Sequence, residues 1–422
     1  MHDHRATVES VFRQESGRII AGLIRVSRSF DLAEEAMQDA FAAAVINWQA
    51  DGVPANPAAW ITATARRKLI DYARREQTRR NNEGQILYEY ESRSCTIDEE
   101  MSRPFEDDRL SLIFTCCHPA INKQAQVALT LRTLGGLTTA EIARAFLLPE
   151  PTLAQRLVRA QRKIQQARIP YQVPDAGALP ERLSAVQAVL YLVFNEGYSA
   201  TSGDSLLRRE LCAEAIRLAR TLLELMPQNP ENMALLGLML LHDSRRDARS
   251  TADGQLLTLE EQDRLLWHQE QIAEGIGLVE RALGRRNFGP YQMQAAIAAV
   301  HAEARTAEET DWKQIAGLYV MLDRCQSSPV VSLNMAVAVA MSEGLEQGLA
   351  MIDSLGAGGE LDSYHLYHAA RAELLRRMGR NREALENYQR GLALTTNAVE
   401  LRYLRRRIAE LAPSRATDSQ DS

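Results

Sequence analysis

The sequence predicts an all-α protein with more than one domain, on three observations. Its 422 residues exceed the roughly 250–300 that one hydrophobic core usually serves. Hydrophobic residues make up 45% and charged residues 25% of the chain, as in an ordinary globular protein. Leucine, alanine, glutamate and arginine are frequent, and no long β-branched run interrupts them, which favours helix.

The composition also predicts a cytoplasmic protein without a membrane partner. No apolar run approaches the roughly 20 residues that cross a bilayer. The first ten residues, MHDHRATVES, lack the apolar core of a secretory signal. The five cysteines show no paired metal-ligand spacing, so we expect reduced thiols.

The first domain, residues 1–80, is predicted to contain an acidic-faced helix, a loop and a basic helix. Asp31 and Glu34 have capping-box spacing at the start of DLAEEAMQDAFAAAVINW, whose apolar residues recur every three or four positions. Glycine and prolines in QADGVPANP predict a loop, followed by a helix over residues 60–75. Seven basic and two acidic residues lie in positions 66–80. This basic face could contact phosphates, a membrane surface or nothing.

The next segment, residues 81–107, reverses the sign of the charge. Residues 81–108 contain nine acidic residues against Arg93 and Arg103, with few apolar residues between them. This pattern favours a solvated acidic linker over a segment with its own binding role.

A second small domain, residues 108–170, carries a helix-turn-helix pattern. Thr138 and Glu141 form a predicted capping box for a helix that ends near Phe146, residues 147–149 make a break, and Pro151 opens the next helix. That helix displays one polar stripe, formed by Thr152, Gln155, Arg156, Arg159 and Lys163. A separate stripe, Leu153, Leu157, Ala160 and Ile164, is expected to pack on Ile142 and Ala143 of the preceding helix. The polar stripe suits the major groove of DNA, with a solvated basic face as the alternative.

The remaining chain, residues 180–412, is predicted to form a helical-repeat domain. Three prolines in RIPYQVPDAGALP mark its beginning. The order of small residues and a terminal proline resembles that of a 34-residue tetratricopeptide repeat. One copy includes Ala215, Ala219, Leu222 and Pro227, followed by Leu236, Gly237 and Leu240; a second includes Ala372, Leu375, Gly379, Ala384, Tyr388 and Gly391. The polar residues 413–422 are predicted to be disordered.

Residues with catalytic or metal-binding chemistry are sparse. Cys116, Cys117 and His118 adjoin, but no second Cys/His pair lies at ligand spacing, and neighbouring apolar residues favour a packed helix end. Trp48 and Trp60 could stack on an unpaired base, although core packing is the favoured interpretation. We find no phosphate-binding glycine loop or nucleophile motif, so we expect no catalytic residue, metal or cofactor.

Three motifs together resemble the group IV, or extracytoplasmic-function, sigma factors of bacterial RNA polymerase. They are DLAEEAMQDAF, NPAAWITATARRKLIDYARR and GGLTTAEIARAF with TLAQRLVRAQRKI, within residues 8–168. The segment FTCCHPAINKQAQVALTLRTLGG is similar to the subgroup that carries a C-terminal tetratricopeptide-like domain.

The resemblance assigns partners and roles to the predicted faces. The acidic face, with Glu35, Gln38 and Asp39, would bind the β′ clamp helices of core polymerase, which is also contacted at its β flap. The loop over residues 51–56 and the basic helix would open the minus-ten element, with candidate residues Asn56, Trp60, Arg66, Arg67 and Arg74. The helix-turn-helix stripe would read the minus-thirty-five element, and the acidic linker would thread toward the active-site cleft.

The resulting prediction is a promoter-specific initiation factor that performs no catalysis of its own and has a regulatory C-terminal domain. That domain could bind a partner or peptide, dock on the sigma domains, or simply stabilise them. The main alternative is a helix-turn-helix regulator with a repeat sensor domain that does not replace sigma. A repeat scaffold with an incidental basic helix is a third reading, and it predicts no salt-dependent DNA affinity.

Overall fold

The computed structural model describes residues 4–82, 108–146, 148–198, 209–251, 255–285, 288–395 and 397–411. These ranges form eighteen α-helices, one 3-10 turn and an isolated bridge between Ser250 and Leu256, with no β-strand. The all-α prediction is confirmed. Cys95, Leu147, nearly all of the acidic linker and the predicted disordered tail lie outside the described residues.

The chain divides into two compact units, residues 1–192 and 193–422. The helices of unit 1 are α1 His4–Ser27, α2 Phe30–Asp51, α3 Pro57–Asn82, α4 Arg109–Cys116, α5 Lys123–Thr133, α6 Thr139–Ala145 and α7 Glu150–Gln166. Helix α8, Leu179–Tyr198, contains the point of division. None of the described helices is both long and apolar enough to cross a membrane.

The start of α2 differs from the predicted capping box. Its N-cap is Ser29, whose hydroxyl accepts the backbone N–H of Leu32 at 3.3 Å. Ser29 has the extended backbone that an N-cap needs, while Arg28 before it adopts a φ of 54°. Asp31 therefore lies inside the first helical turn, where its carboxylate is favoured by the helix dipole. Its prediction as the cap is wrong.

Helix α3 is longer than the predicted 60–75. Asn56 caps it by accepting the Ala59 N–H at 3.0 Å, and Pro57 occupies the first helical position, where its missing N–H costs nothing. The helix continues through the basic residues to Asn82 because no glycine or proline interrupts it.

The helix-turn-helix prediction is confirmed in its local details. Thr138 and Glu141 form the capping box: the Thr138 N–H donates to the Glu141 carboxylate at 2.7 Å, and the Glu141 N–H donates to the Thr138 hydroxyl at 3.1 Å. Helix α7 begins at Glu150, one residue before the predicted Pro151. The α6 and α7 helices pack together, and both predicted packing stripes are buried.

Two ion pairs connect the first three helices of unit 1 to the helices that follow the linker. Arg25 of α1 donates to Asp108 at 2.9 Å, and Arg132 of α5 donates to Glu34 of α2 at 3.1 Å. All four side chains are at most one-quarter exposed. The first pair joins α1 to the start of α4, and the second joins α2 to α5, on which α7 packs.

Unit 2 is a series of helices in which each, from α9 to α18, packs on the next. They are α9 Arg209–Leu225, α10 Pro230–Asp243, α11 Gln269–Leu283, α12 Pro290–Glu303, α13 Trp312–Cys325, α14 Pro329–Ser342, α15 Leu345–Gly356, α16 His365–Arg377, α17 Asn381–Leu394 and α18 Ala398–Leu411. A Cβ on Gly237 would lie 3.1 Å from the Gly275 carbonyl oxygen, so α10 and α11 approach closely. The tetratricopeptide assignment stays a prediction.

Candidate nucleic-acid interface

The outer face of α7 presents cations that no carboxylate of the described residues neutralises. Arg159, Arg162 and Lys163 are exposed and Arg156 is half-buried. Across the described ranges of both units, none of these four side chains forms an ion pair or a side-chain hydrogen bond. Thr152 and Gln155 of the predicted stripe are also exposed and share this face.

The opposite side of α7 holds this face in place. Leu153, Leu157, Ala160 and Ile164 are each less than 10% exposed, and the helices that they face include Ile142, which is fully buried. A rigid helix with unpaired cations is suited to binding a polyanion such as DNA. Its cations can neutralise phosphates, and the counterions of the DNA are then released.

The basic residues of α3 are in more varied surroundings. Arg67 is exposed and its guanidinium donates to its own helix, to the Ala63 carbonyl at 3.4 Å and the Thr64 hydroxyl at 3.5 Å. Burial lowers the pKa of Arg66, and the positive charge of Arg25 lowers it further. Arg74 is exposed. The predicted minus-ten residues of α3 thus lie on one helix with different degrees of exposure.

The loop before α3 is anchored by two tryptophans. The rings of Trp48 and Trp60 are 5.6 Å apart at an edge-on angle of 66°. Trp48 is 3% exposed, which confirms core packing for that residue, whereas Trp60 is half-buried. The side-chain oxygen of Asn56 is used by the helix cap, so its amide NH₂ is the group left for a ligand.

The acidic face of α2 is partly occupied within the protein. Glu35 and Gln38 are exposed, as predicted for a partner-binding face. Asp39 accepts the Tyr72 hydroxyl at 2.5 Å and lies 3.7 Å from the Lys68 ammonium. The hydrogen bond to Asp39 raises the pKa of Tyr72 to about 12. Lys68 and Tyr72 were not predicted as partners, although their four-residue spacing places both on one face of α3.

The adjacent cysteines are packed inside unit 1, as the sequence indicated. Cys116 lies 3.3 Å from the Thr133 hydroxyl, and Cys117 lies 3.6 Å from the Thr130 hydroxyl. Burial raises the pKa of Cys117 to about 12 and raises that of Cys116 as well. Both are therefore neutral thiols at physiological pH, without the thiolate that a nucleophile or metal ligand needs.

Comparison with known families gives three matches along the chain. Residues 11–79 match sigma-70 region 2, residues 111–164 match sigma-70 region 4, and residues 182–283 match a family of unknown function, DUF6596. The chain is 44% identical over 405 residues to an uncharacterized protein, R00370, of Rhizobium meliloti (strain 1021), and the match covers 95% of each chain. No solved structure matches the chain.

The two sigma-70 matches contain the helices described above. Region 2 covers α2 and most of α3, and region 4 covers the helix-turn-helix with α7. Proteins with these regions bind core RNA polymerase and promoter DNA, direct the polymerase to promoters and are not enzymes. The chain therefore belongs to the sigma-70 family, as an extracytoplasmic-function-type sigma factor with an additional C-terminal domain.

Proposed function

We propose that the exposed face of α7 reads the minus-thirty-five element of the promoter. The observation that carries this proposal is the set of four cations on α7 without an ion pair in the described chain. In this assignment Gln155 and Arg156 hydrogen-bond base edges, while Thr152, Arg159 and Lys163 contact phosphates. The side chains of a single rigid helix can do both at once in the major groove.

The first helices take the other two roles. The exposed Glu35 and Gln38, with Asp39 beside them, bind the β′ clamp helices, and the region 4 domain binds the β flap. Asn56, Trp60, Arg66, Arg67 and Arg74 bind the opened minus-ten element. Unstacking a base costs a few kcal/mol, and contacts to the backbone and to an aromatic side chain can offset this.

The proposed roles of the helices also give the domain limits and the cellular location of the protein. Residues 1–80 form the minus-ten and polymerase-binding domain, 81–107 an acidic linker, 108–170 the minus-thirty-five domain and 180–412 a regulatory helical domain. Because core polymerase and promoters are cytoplasmic in bacteria, the protein acts there.

The α7 assignment is tested by base discrimination in the reconstituted holoenzyme. A promoter is first mapped from transcripts induced by overexpression, and each minus-thirty-five base is then changed in turn. We expect Arg156→Ala to lower open-complex formation on the native promoter and to abolish discrimination at one base pair, worth about 1–3 kcal/mol.

The matched control is Lys123→Ala, which removes one exposed positive charge from α5 of the same domain. It should leave the discrimination at every base pair unchanged. If Arg156→Ala and Gln155→Ala both retain the full pattern of discrimination, α7 does not read bases.

The regulatory role of unit 2 is tested by ending the chain after Tyr198. This shortened chain keeps α8, whose Arg182 donates to the Phe114 carbonyl of α4 at 2.6 Å. Altered promoter-dependent transcription supports regulation. Unchanged transcription, both basal and induced, contradicts it.

A further inference from the structure

Three arginines of unit 2 lie close together without an acidic partner in the part of the chain that the structure describes. We call Arg245, Arg249 and Arg264 the arginine cluster; the first two follow α10 and the third lies in the 3-10 turn before α11. No carboxylate of the described residues lies within ion-pairing distance of any of them. Arg246, in the middle of the same stretch, does pair, with Asp243 at 2.6 Å.

Neutral groups hold the cluster in position. Arg245 donates to the Tyr198 hydroxyl at 2.8 Å, and the Arg249 guanidinium lies 3.6 Å from the centre of the Tyr198 ring. The guanidinium groups of Arg245 and Arg264 lie 5.7 Å and 4.6 Å from the centre of the same Trp267 ring. Aromatic faces attract and orient guanidinium groups but leave their net charge in place.

Arg264 is also tied to the end of α12. One of its nitrogens donates to the carbonyl oxygens of His301 at 2.6 Å and Ala304 at 2.5 Å. These carbonyls belong to the C-terminal turn of the helix and its cap, where a cation is favoured. They carry only partial charges, so they do not neutralise the full positive charge of Arg264.

Among the described acidic residues near the cluster in sequence, Asp247 is engaged by other cations, and Asp263 caps the 3-10 turn by accepting the Leu265 N–H at 2.9 Å. Asp247 binds Arg209 at 2.8 Å and His268 at 2.7 Å. Glu308 and Glu309 act on Arg264 only through longer-range attraction. The cluster therefore has no direct carboxylate partner among the described residues of unit 2.

The charges of the cluster act on two neighbouring histidines that are buried. Burial lowers the pKa of His301 to about 4, and the charges of Arg245 and Arg264 contribute to the fall. Burial lowers the pKa of His242 as well, with Arg245 and Arg249 adding to it. Both imidazoles are therefore neutral, and the Nδ1 atom of each is buried without a hydrogen-bond partner among the described residues.

A cavity adjoins the cluster at Arg264. Its volume is about 420 Å³, which lies in the range of small-molecule sites, roughly 300–1,000 Å³. Arg264, Thr310 and Trp312 line one side. The basic residues of the other side, including Arg377 and Arg407, are paired with Glu260 and Glu261. The uncompensated positive charge thus lies on the Arg264 side.

We propose that unit 2 binds a small molecule bearing an oxyanion, either a phosphate or a carboxylate, with the anionic group held at Arg264, beside the positive charge of Arg245, and the remainder in the adjoining cavity. An oxyanion supplies the missing negative charge and accepts hydrogen bonds from the planar guanidinium fork. The site stands whether or not unit 2 regulates transcription.

The test is a titration of the full chain with two probes, inorganic phosphate and succinate, against sodium chloride of the same ionic strength. We expect at least one probe to raise the unfolding temperature of unit 2 in a saturable way, since a ligand that binds only the folded state stabilises it. A response to phosphate alone identifies a phosphate-bearing ligand, and a response to succinate alone identifies a carboxylate. The absence of a saturable shift with either probe overturns the proposal.

Substitutions separate this site from general salt effects. Arg245→Gln should weaken probe binding severalfold, because it removes a positive charge that lies over the same Trp267 ring as Arg264. Without probe it should unfold at the same or a higher temperature, because repulsion within the cluster is relieved. The control Arg217→Gln breaks the pair with Glu214 and should lower the unfolding temperature without changing probe affinity. Equal affinity in the wild type and Arg245→Gln contradicts the proposal, and the wild-type titration decides it if the variant fails to fold.

Discussion

Helix α7 and the C-terminal helices of unit 2 are both rich in arginine, but they differ in whether the arginines are paired with carboxylates. On α7, Arg156, Arg159 and Lys163 form no ion pair within the described chain. In unit 2, Arg376 and Arg377 share Glu373, at 2.7 Å and 2.9 Å. An arginine-rich surface can therefore bind an anion where its cations have no carboxylate partner. Where they are paired with carboxylates, the same residues stabilise the fold.

The same distinction holds inside unit 1. Arg132 of α5 lies in the same small domain as α7, but it binds Glu34 at 3.1 Å and is largely covered. An unpaired cation stays available to a phosphate, whereas a paired one would first have to leave its carboxylate. Substitution of a paired arginine should therefore lower stability with little effect on DNA binding. Substitution of an unpaired arginine on α7 should weaken DNA binding with little effect on stability.

The largest effect on stability is expected at Glu373. Burial raises the pKa of this carboxyl, but hydrogen bonds from Arg376, Arg377 and Tyr388 outweigh burial and lower it to about 2. Glu373→Gln removes the shared counter-charge and should lower the free energy of unfolding by about 2 kcal/mol, allowing for partial exposure. Urea denaturation at pH 7 followed by circular dichroism measures this change.

The loss should depend on pH in a defined direction. Because the folded pKa of Glu373 lies below the ordinary glutamate value of about 4.3, its contribution is complete above that value. It is lost as the pH falls toward 2. The difference between the wild type and Glu373→Gln should shrink over this interval; a difference that stays constant from pH 7 to pH 2.5 would contradict the assigned ionisation.

A smaller effect is expected at the pair of Arg132 and Glu34. Both side chains are only about one-fifth exposed, so the pair is less screened than a surface pair. A double-mutant cycle with Arg132→Ala and Glu34→Ala should give a coupling free energy of about 1 kcal/mol. Additive effects of the two substitutions would show that this contact contributes nothing to folding.

The smallest effect on stability is expected on α7. Arg159→Ala and Lys163→Ala remove no ion pair and no side-chain hydrogen bond from the described protein. Each should leave the free energy of unfolding within about 0.5 kcal/mol of the wild type. A loss above about 1 kcal/mol from either would mean that the α7 face has a structural role.

Local signals in the sequence were sufficient for much of the fold and for the position of the main site. The capping box of Thr138 and Glu141 and the burial of Leu153 and Leu157 depend on neighbours within one or two turns, so spacing alone predicts them. The cap of α2 was misassigned because Ser29 and Asp31 are both good capping residues two positions apart. Only the backbone at Arg28 and Ser29 decides between them.

Charge compensation could not be predicted, because the partners are far apart in the chain. Arg132 and its partner Glu34 are 98 residues apart in the sequence, and Arg377 and its partner Glu260 are 117 apart. The arginine cluster could not be predicted for the same reason: its residues match no motif, and the absence of a carboxylate beside them among the described residues depends on how unit 2 folds. The spacing of residues in a sequence predicts which side chains share a helix face, but it does not predict which helix faces pack against each other.

The salt dependence of promoter binding by the holoenzyme tests whether the unpaired cations of α7 bind the phosphates of promoter DNA. Each phosphate contact that is lost should reduce the slope of log affinity against log salt by about 0.9. We predict that Arg159→Ala with Lys163→Ala makes the slope shallower by about 1 to 2, while Arg371→Ala, which breaks a pair with Asp353 in unit 2, leaves it unchanged. An unchanged slope for the α7 double variant, or an equal change for Arg371→Ala, would contradict the account.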